Sequence, residues 1–353
     1  MPKISTKLTQ DKILLLEYFQ DFLHHKKMQN CKESTLNTYI SHFNYFLEFF
    51  EEEYKREMYL ADFNEKVLTE HIDYLQTRHV KFGTHLHVPD WKKQIGALSP
   101  RTINDRMGRL QTFAQYLLQR GIMKDNPFLN VPKILQDNQQ SDVLTKQELE
   151  RLSKHIEEKA KTTKEFHHFR SLVLFHVLVD TMGRINMVLN LRESDFSYDD
   201  RTLVFRAESS KNRRTHVIPI TLKTARLVRK LIDYNQGFYD RKVDENIFLA
   251  LTGRRLTPDV WLKQLKKYAK EVGIGKRVYS HLIRKSSATI ALQNGIGIEE
   301  LRRMLTHSDF STIMRYVELN SDNLKQAQAE YSVFAEVERT NRLFKRPNRI
   351  DKF

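Results

Sequence analysis

Four side chains near the carboxyl end of the sequence, His281, Arg284, His307 and Tyr316, have the types that suit nucleophilic attack on a phosphate group. Ser280 is expected to cap a helix, so His281 and Arg284, spaced by three, fall in its first turn on one face and can reach one anion. A second short helix is expected before His307 and a third is expected to carry Tyr316. This spacing predicts Tyr316 as the nucleophile of a shared site.

Each of these residues has a commoner explanation when it is considered alone. A single histidine in a helix is usually a hydrogen-bonded surface residue, and an arginine in a chain of net charge +15 is usually solvated. Tyr316 is one of 14 tyrosines. The joint spacing of the four, together with two positions upstream, favours the shared site.

The two upstream positions are Arg184 and Lys211. An apolar helix predicted over 164–182 stops at Gly183, where glycine indicates a close backbone approach, and Arg184 follows at the end of this buried element. Lys211 lies in a polar turn between two predicted strands, where a hairpin tip can hold it over a polyanion. The alternative for Lys211 is one basic loop residue among several.

The composition predicts a globular protein that binds a polyanion. The chain has 353 residues, with 59 basic against 44 acidic side chains, and its pI is near 9.6. Such an excess favours nucleic acid as the partner, although a generally basic protein is the alternative. Cys31 is the only cysteine, which excludes an internal disulfide framework and a cysteine-based zinc cluster. No apolar run reaches the roughly 18 residues of a membrane helix, so we expect a cytoplasmic protein.

The first domain is predicted to be all-helical and to span residues 1–135. Its clearest helix opens at Ser99-Pro100, because serine caps a helix and proline suits the first helical position. The face opposite its apolar stripe is expected to be basic and to lie along a DNA groove, with a solvated face as the alternative. That face consists of Arg101, Asn104, Arg106 and Arg109.

A polar linker is predicted over 136–142, followed by a second domain over 143–353. Thr145 and Glu148 form a predicted capping box at its start. The fold class is mainly α, with a small antiparallel sheet formed by strands near 201–206 and 215–220. The tail, about residues 320–353, is expected to dock on a neighbouring subunit or, alternatively, on its own domain.

The order of these candidates resembles the tyrosine recombinase (integrase) family, and its Xer-like members in particular. Thr181-Met182-Gly183-Arg184 is similar to the first arginine box of the family, and Ser210-Lys211-Asn212 to its hairpin lysine. The second and third boxes are matched by the segments that contain His281 with Arg284 and His307 with Tyr316. The sequence departs from the usual pattern of the family at three positions, Asn186, Met187 and Lys285.

The resemblance implies a metal-independent strand transfer with no cofactor. Tyr316 attacks a DNA phosphate, Arg184 and Arg284 hold its oxygens, His281 accepts the tyrosine proton and Lys211 protonates the leaving 5′ oxygen. The resemblance also implies that His307 braces the phosphate and that a 3′-phosphotyrosyl link forms. Arg213 and Arg214, which follow Lys211, are predicted to contact the same DNA.

The implied biology is site-specific recombination through a Holliday junction, by a homotetramer on double-stranded DNA and a monomer or dimer off DNA. We also expect accessory DNA-bending proteins as possible partners and a cytoplasmic, nucleoid-associated location. The role could be integration, transposition of a mobile genetic element or chromosome-dimer resolution. Two alternatives stay open: a type IB topoisomerase-like enzyme and a catalytically inactive, architectural DNA-binding protein.

Overall fold

The computed structural model describes residues 13–80, 95–96, 98–136, 142–208, 214–238 and 245–305. Lys211, Arg213, His307, Tyr316 and the tail at 320–353 therefore lie outside the described residues. The chain divides into two compact units, Met1–Gln139 and Gln140–Phe353. Among the described residues, no helix combines the length and the apolar character needed to cross a membrane.

The first unit is built from helices around an aromatic core. The helices are α1 (Leu15–Met28), α2 (Glu33–Tyr54), α3 (Glu65–Thr77) and α4 (Pro100–Gln119), with a 3-10 turn at Leu60–Asp62. Phe19 stacks on Phe43 with ring centroids 3.7 Å apart, and Phe113 meets both rings edge-on. Such ring pairs add packing energy to the burial of apolar area. One face of each helix therefore faces a common core.

The helix starts of the first unit match the sequence only in part. The Ser99 hydroxyl accepts a hydrogen bond from the Thr102 amide and Pro100 is the first helical residue, which confirms the predicted start of α4. Ser34, a residue of the type that caps helices, does not cap α2, because the helix already begins at Glu33 and Lys32 precedes it without a side-chain cap. The next helix, α3, does have a cap: the side chain of Asn64 accepts a hydrogen bond from the Val67 amide.

The second unit is organised around a buried helix, α6 (Phe166–Thr181), which packs against its neighbours along most of its length. The preceding helix, α5 (Lys146–Thr163), starts with the predicted capping box. The Glu148 amide donates to the Thr145 hydroxyl at 3.1 Å, and the Thr145 amide donates to the Glu148 carboxylate at 2.7 Å. These two bonds satisfy amides that a helix start otherwise leaves unpaired.

A three-stranded antiparallel sheet covers one side of this unit. It is formed by β1 (Phe196–Ser197), β2 (Thr202–Phe205) and β3 (His216–Pro219), in that spatial order. Leu203 pairs with both Phe196 and Ile218, which aligns their side chains toward the core. The predicted mainly helical fold with a small antiparallel sheet is confirmed, although β1, only two residues long, was not predicted.

The remaining helices of the second unit carry the predicted site residues. After α6 they are α7 (Ile185–Leu189), α8 (Leu222–Phe238), α9 (Pro258–Glu271), α10 (Ser280–Gln293) and α11 (Ile298–Met304). Three side chains of α9, those of Trp261, Leu265 and Tyr268, are buried in the core. The predicted cap at Ser280 is wrong: Tyr279 is the capping position, with no side-chain bond, and Ser280 is the buried first residue of α10.

Candidate active site

The backbone at the end of α6 fixes the position of Arg184. Met182 has φ +50°, so the chain turns sharply, and the Gly183 amide donates to the Thr181 hydroxyl at 3.1 Å. A Cβ at position 183 would lie 2.8 Å from Cγ2 of Val188 and 3.0 Å from Oγ1 of Thr181. The predicted close backbone approach at Gly183 is thus confirmed, and Arg184, the next residue, occupies the N-cap position of α7.

Arg284 connects two segments of the chain that are distant in sequence. Its guanidinium is 6 % exposed and donates to the carbonyl of Met182 at 2.6 Å and to the carbonyl of Leu305 at 2.7 Å. A buried cation needs such partners, because burial without them is costly. Arg284 lies on the helix Ser280–Gln293. Its two bonds therefore attach to this helix both the segment that leads to Arg184 and the segment that leads to His307.

His281 is influenced electrostatically by both arginines. Partial burial and the nearby positive charges of Arg284 and Arg184 lower its pKa below 6.5. His281 is therefore neutral at pH 7, the form that can accept a proton. The structure brings three of the six predicted catalytic residues, Arg184, His281 and Arg284, into one neighbourhood.

The other three predicted catalytic residues, Lys211, His307 and Tyr316, lie outside the described residues. The described elements end close to Lys211 and to His307 along the chain. β2 ends at Phe205 and β3 begins at His216, on either side of Lys211. Leu305, whose carbonyl Arg284 binds, is two positions before His307.

A buried serine that the sequence did not single out holds α10 in place. The Ser286 hydroxyl accepts a hydrogen bond from the Leu144 amide at 2.7 Å and donates to the Leu282 carbonyl at 2.7 Å. Ser286 is fully buried. Its position two residues after Arg284 gives no local signal of this role, because its partner Leu144 lies 142 positions away.

A basic cleft is lined by residues that come just before α10 in the sequence, and it was not predicted. It has a volume of about 400 Å³ and its charged lining consists of Lys266, Lys270, Lys276 and Arg277. Lys276 is engaged by the carboxylate of Glu148 at 2.7 Å. The sequence signal was the run Gly275-Lys276-Arg277 shortly before His281, which places positive charge beside the predicted site.

The predicted basic face of α4 differs from expectation at two positions. Arg106 is 8 % exposed and lies over the ring of Tyr45, with its carbon Cζ 4.2 Å from the centroid, so its placement on an exposed face is wrong. The amide group of Asn104 bonds to the carbonyl and amide of Ile134 at 2.8 and 3.1 Å. It fixes the backbone that leaves the first unit.

The other predicted DNA-contact residues are more accessible. Arg101 is exposed at the start of α4, and Arg109 is half-buried over the ring of Tyr39. Arg214 is exposed before β3, whereas Arg213 lies outside the described residues. DNA contact by these residues stays a prediction.

Both units of the chain match known protein families. Residues 142–323 match the phage integrase family, and residues 14–134 match the phage integrase SAM-like domain. A tyrosine recombinase XerD of Oceanobacillus iheyensis is 27 % identical over 235 residues, which cover 66 % of this chain and 76 % of the relative. A tyrosine recombinase XerC of Alcanivorax borkumensis is 23 % identical over 237 residues, which cover 65 % and 72 %.

Solved structures share the fold at low sequence identity. The site-specific recombinase XerH, bound to a palindromic difH substrate after cleavage, has a TM-score of 0.65 at 20 % identity. That match covers 86 % of this chain and 82 % of the other. The Tn1549 transposon integrase, in complex with transposon right end DNA, has a TM-score of 0.65 at 16 % identity and covers 90 % and 99 %.

Proposed function

The chain belongs to the phage integrase family, the tyrosine recombinases, and on that premise we propose that Tyr316 is the nucleophile of a strand transfer organised by Arg184, His281 and Arg284. The protein is an enzyme that cleaves and rejoins DNA in site-specific recombination, and Xer tyrosine recombinases are among its relatives. A recombination site in DNA is its substrate. The assignments of individual residues are our proposals.

One observation supports the residue assignment best. Arg284 binds the carbonyls of Met182 and Leu305, which lie two positions before Arg184 and His307, respectively. A phosphate attacked by tyrosine passes through a more highly charged state, so preorganised cations in one place stabilise it. A rigid link between the segments of Arg184, Arg284 and His307 supplies that organisation.

The proposed step conserves atoms and charge. The Tyr316 oxygen bonds to phosphorus as its proton passes to His281, which the lowered pKa keeps neutral and able to accept it. The bond between phosphorus and the 5′ oxygen breaks, and Lys211 donates a proton to that oxygen. His307 hydrogen-bonds the phosphate, and a 3′-phosphotyrosyl link results. A 5′ hydroxyl then attacks this link, which rejoins the DNA strand and releases Tyr316.

The assembly and cellular role are also proposals. We propose a homotetramer on DNA that passes through a Holliday junction, with residues 320–353 docking between subunits, and a cytoplasmic, nucleoid-associated enzyme. The Xer relatives and the transposon integrase structure support integration, transposition or dimer resolution as the role. A topoisomerase-like or inactive protein is not favoured, since the family match covers both units.

The test is a covalent-trapping assay in EDTA with DNA from either side of the protein's own gene. Wild-type protein, Tyr316→Phe and Tyr279→Phe are incubated with the DNA and denatured, and protein-linked DNA is measured. Tyr279 is a matched control, because it is an exposed tyrosine beside the candidate site. We expect adducts with wild type and Tyr279→Phe and none with Tyr316→Phe. An adduct that survives Tyr316→Phe means that another residue is the nucleophile.

A further inference from the structure

Three side chains with metal-ligating atoms meet at the start of α6. Glu165, His167 and His168 each direct one ligating atom into a group whose members all lie within 4.8 Å of one another. Arg184 follows the opposite end of this helix of 16 residues. At 1.5 Å per residue the helix is about 24 Å long, so the group is separate from the recombination site.

The distances in this group fit a small tetrahedral ion. Oε2 of Glu165 lies 3.4 Å from Nδ1 of His167 and 3.5 Å from Nε2 of His168. Zinc binds nitrogen and oxygen at about 2.0–2.1 Å, which puts tetrahedral ligand atoms about 3.4 Å apart. Two edges of the tetrahedron are therefore already near their final length. Rotation of the half-buried His167 ring can close the third.

A hydrogen bond from the other ring nitrogen orients His168. Its Nδ1 is hydrogen-bonded to the hydroxyl of Tyr268 at 2.5 Å, and both side chains are buried. This contact turns Nε2 toward Glu165 and His167. Metal-binding histidines usually have such a partner on the second nitrogen, because it fixes the ring and the tautomer.

We propose that Glu165, His167 and His168 bind one divalent transition-metal ion of the zinc class, with water in the fourth position. Two imidazoles and one carboxylate select zinc, nickel or copper over magnesium and calcium, which prefer oxygen ligands alone. The fourth position is open to water because Glu165 is exposed and its carboxylate lies at the surface.

The bound ion joins the α5–α6 turn to α9. Lys164, between the two helices, has φ +55°, a conformation that costs energy for a residue with a side chain. Metal ligation by Glu165, His167 and His168 fixes the residues after this turn, and Tyr268 extends the link into α9. The ion therefore has a stabilising role in the second unit and takes no part in strand transfer.

The surroundings set the expected affinity. Lys159 and Lys267 influence His168 electrostatically, and the start of a helix carries partial positive charge. Both oppose a cation, so we expect micromolar rather than nanomolar binding. A bare ion pair of Glu165 with the two histidines is the competing explanation, and it requires no metal.

The first experiment is calorimetric titration of the full chain with ZnCl₂. Wild type, His167→Ala, Glu165→Gln and the double variant His24→Ala/His25→Ala are compared. The double variant is the matched control, because this second pair of adjacent histidines belongs to no three-ligand group among the described residues. The chain has 14 histidines, so the difference between variants is informative and the total zinc uptake is not.

We expect His167→Ala and Glu165→Gln each to lose one zinc equivalent or to bind it at least about tenfold more weakly, with the control unchanged. Cobalt should give the visible absorption of a tetrahedral site in wild type and not in His167→Ala. Tyr268→Phe should weaken binding about tenfold, because His168 loses its orienting partner. Equal zinc binding by wild type and His167→Ala overturns the proposal and leaves the ion pair.

Discussion

The guanidinium of Arg284 donates to the carbonyl of Met182 at 2.6 Å, across 102 positions of the chain. Because Met182 is separated from Arg184 by a single glycine, this bond fixes one cationic residue of the proposed recombination site relative to another. The second bond of Arg284, to Leu305, does the same for the segment that leads to His307. Arg284 is thus both a proposed phosphate ligand and the residue that aligns the site.

Arg284→Lys should lower adduct formation on recombination-site DNA at least about a hundredfold, even though the charge is retained. A lysine cannot bind both carbonyls in the planar, two-pronged way of arginine, and an unsatisfied buried carbonyl costs about 1–3 kcal/mol. Single-turnover trapping and thermal unfolding measure the two effects. Arg226→Lys, an exposed change on α8, is the control. Near wild-type cleavage by Arg284→Lys contradicts the aligning role.

Gly183→Ala should reduce cleavage roughly a hundredfold with little change in DNA affinity. The new Cβ meets Val188 and Thr181 at 2.8 and 3.0 Å, so the backbone must shift and Arg184 with it. A displacement of about 1 Å at a catalytic group has an effect of this size. Gly237→Ala is the control, because no atom lies within 4 Å of its new Cβ. Cleavage by Gly183→Ala equal to that of the control contradicts the prediction.

The cleavage rate should fall in acid because His281 becomes protonated. Burial and the charges of Arg284 and Arg184 lower its pKa below 6.5, so the neutral base is present at pH 7 and is lost below that pKa. A pH profile of single-turnover cleavage measures this, and the rate should fall about tenfold per pH unit there. In His281→Asn the rate should be low and this acid limb absent. A wild-type rate that instead rises in acid assigns His281 the role of proton donor.

Substitution of Arg101 should change the salt dependence of DNA binding, whereas substitution of Arg106 should not. Arg101 is exposed on α4, so Arg101→Ala should reduce the salt dependence of binding by about one counterion. Arg106→Met should leave that dependence unchanged, because its guanidinium is buried over Tyr45. Binding isotherms at several salt concentrations measure both slopes. A smaller slope in Arg106→Met means that Arg106 leaves its buried position on DNA.

The first unit should lose stability in acid through His71. His71 is fully buried against Phe46 and Phe49, neither ring nitrogen has a hydrogen-bond partner, and burial lowers its pKa to about 3. The unfolded chain takes up a proton near pH 6.5 and the folded unit does not. Stability is therefore complete above pH 6.5 and decreases toward pH 3 by about 1.4 kcal/mol per pH unit.

Hydrogen exchange of α2 and α3 in the full chain, corrected for the intrinsic effect of pH, measures this loss. His71→Leu should flatten the dependence, leaving the smaller contribution of His79, whose pKa burial lowers to about 4. His24→Leu, an exposed histidine on α1, is the control. An unchanged pH dependence in His71→Leu contradicts the assignment to His71.

Two helix starts were readable from the sequence because their interacting residues are close along the chain. The Thr145–Glu148 capping box and the Ser99-Pro100 helix start need only neighbours, and both were predicted correctly. Gly183 was predicted because a close approach leaves few other residue types. The family resemblance was recognised before any distance was known, from the order of Arg184, Lys211, His281, Arg284, His307 and Tyr316.

Features that depend on distant partners could not be predicted in the same way. Arg106 is polar by type, and only Tyr45, on another helix, shows that it is buried. Ser280 has the type of a helix cap, yet the helix starts there and buries it. The group at Glu165, His167 and His168 is local in sequence but was not predicted either, because adjacent helical positions such as 167 and 168 do not normally face one another.

The long-range bonds of α10 also determine when the site can form during synthesis. Ser286 binds the amide of Leu144, and Arg284 binds the carbonyls of Met182 and Leu305. A nascent chain on the ribosome therefore cannot complete this arrangement until residue 305 has left the exit tunnel. The first unit of an incomplete polypeptide folds as it emerges, but the proposed site is not yet assembled. A truncated product that ends before Leu305 therefore lacks the contact through which Arg284 aligns the proposed site.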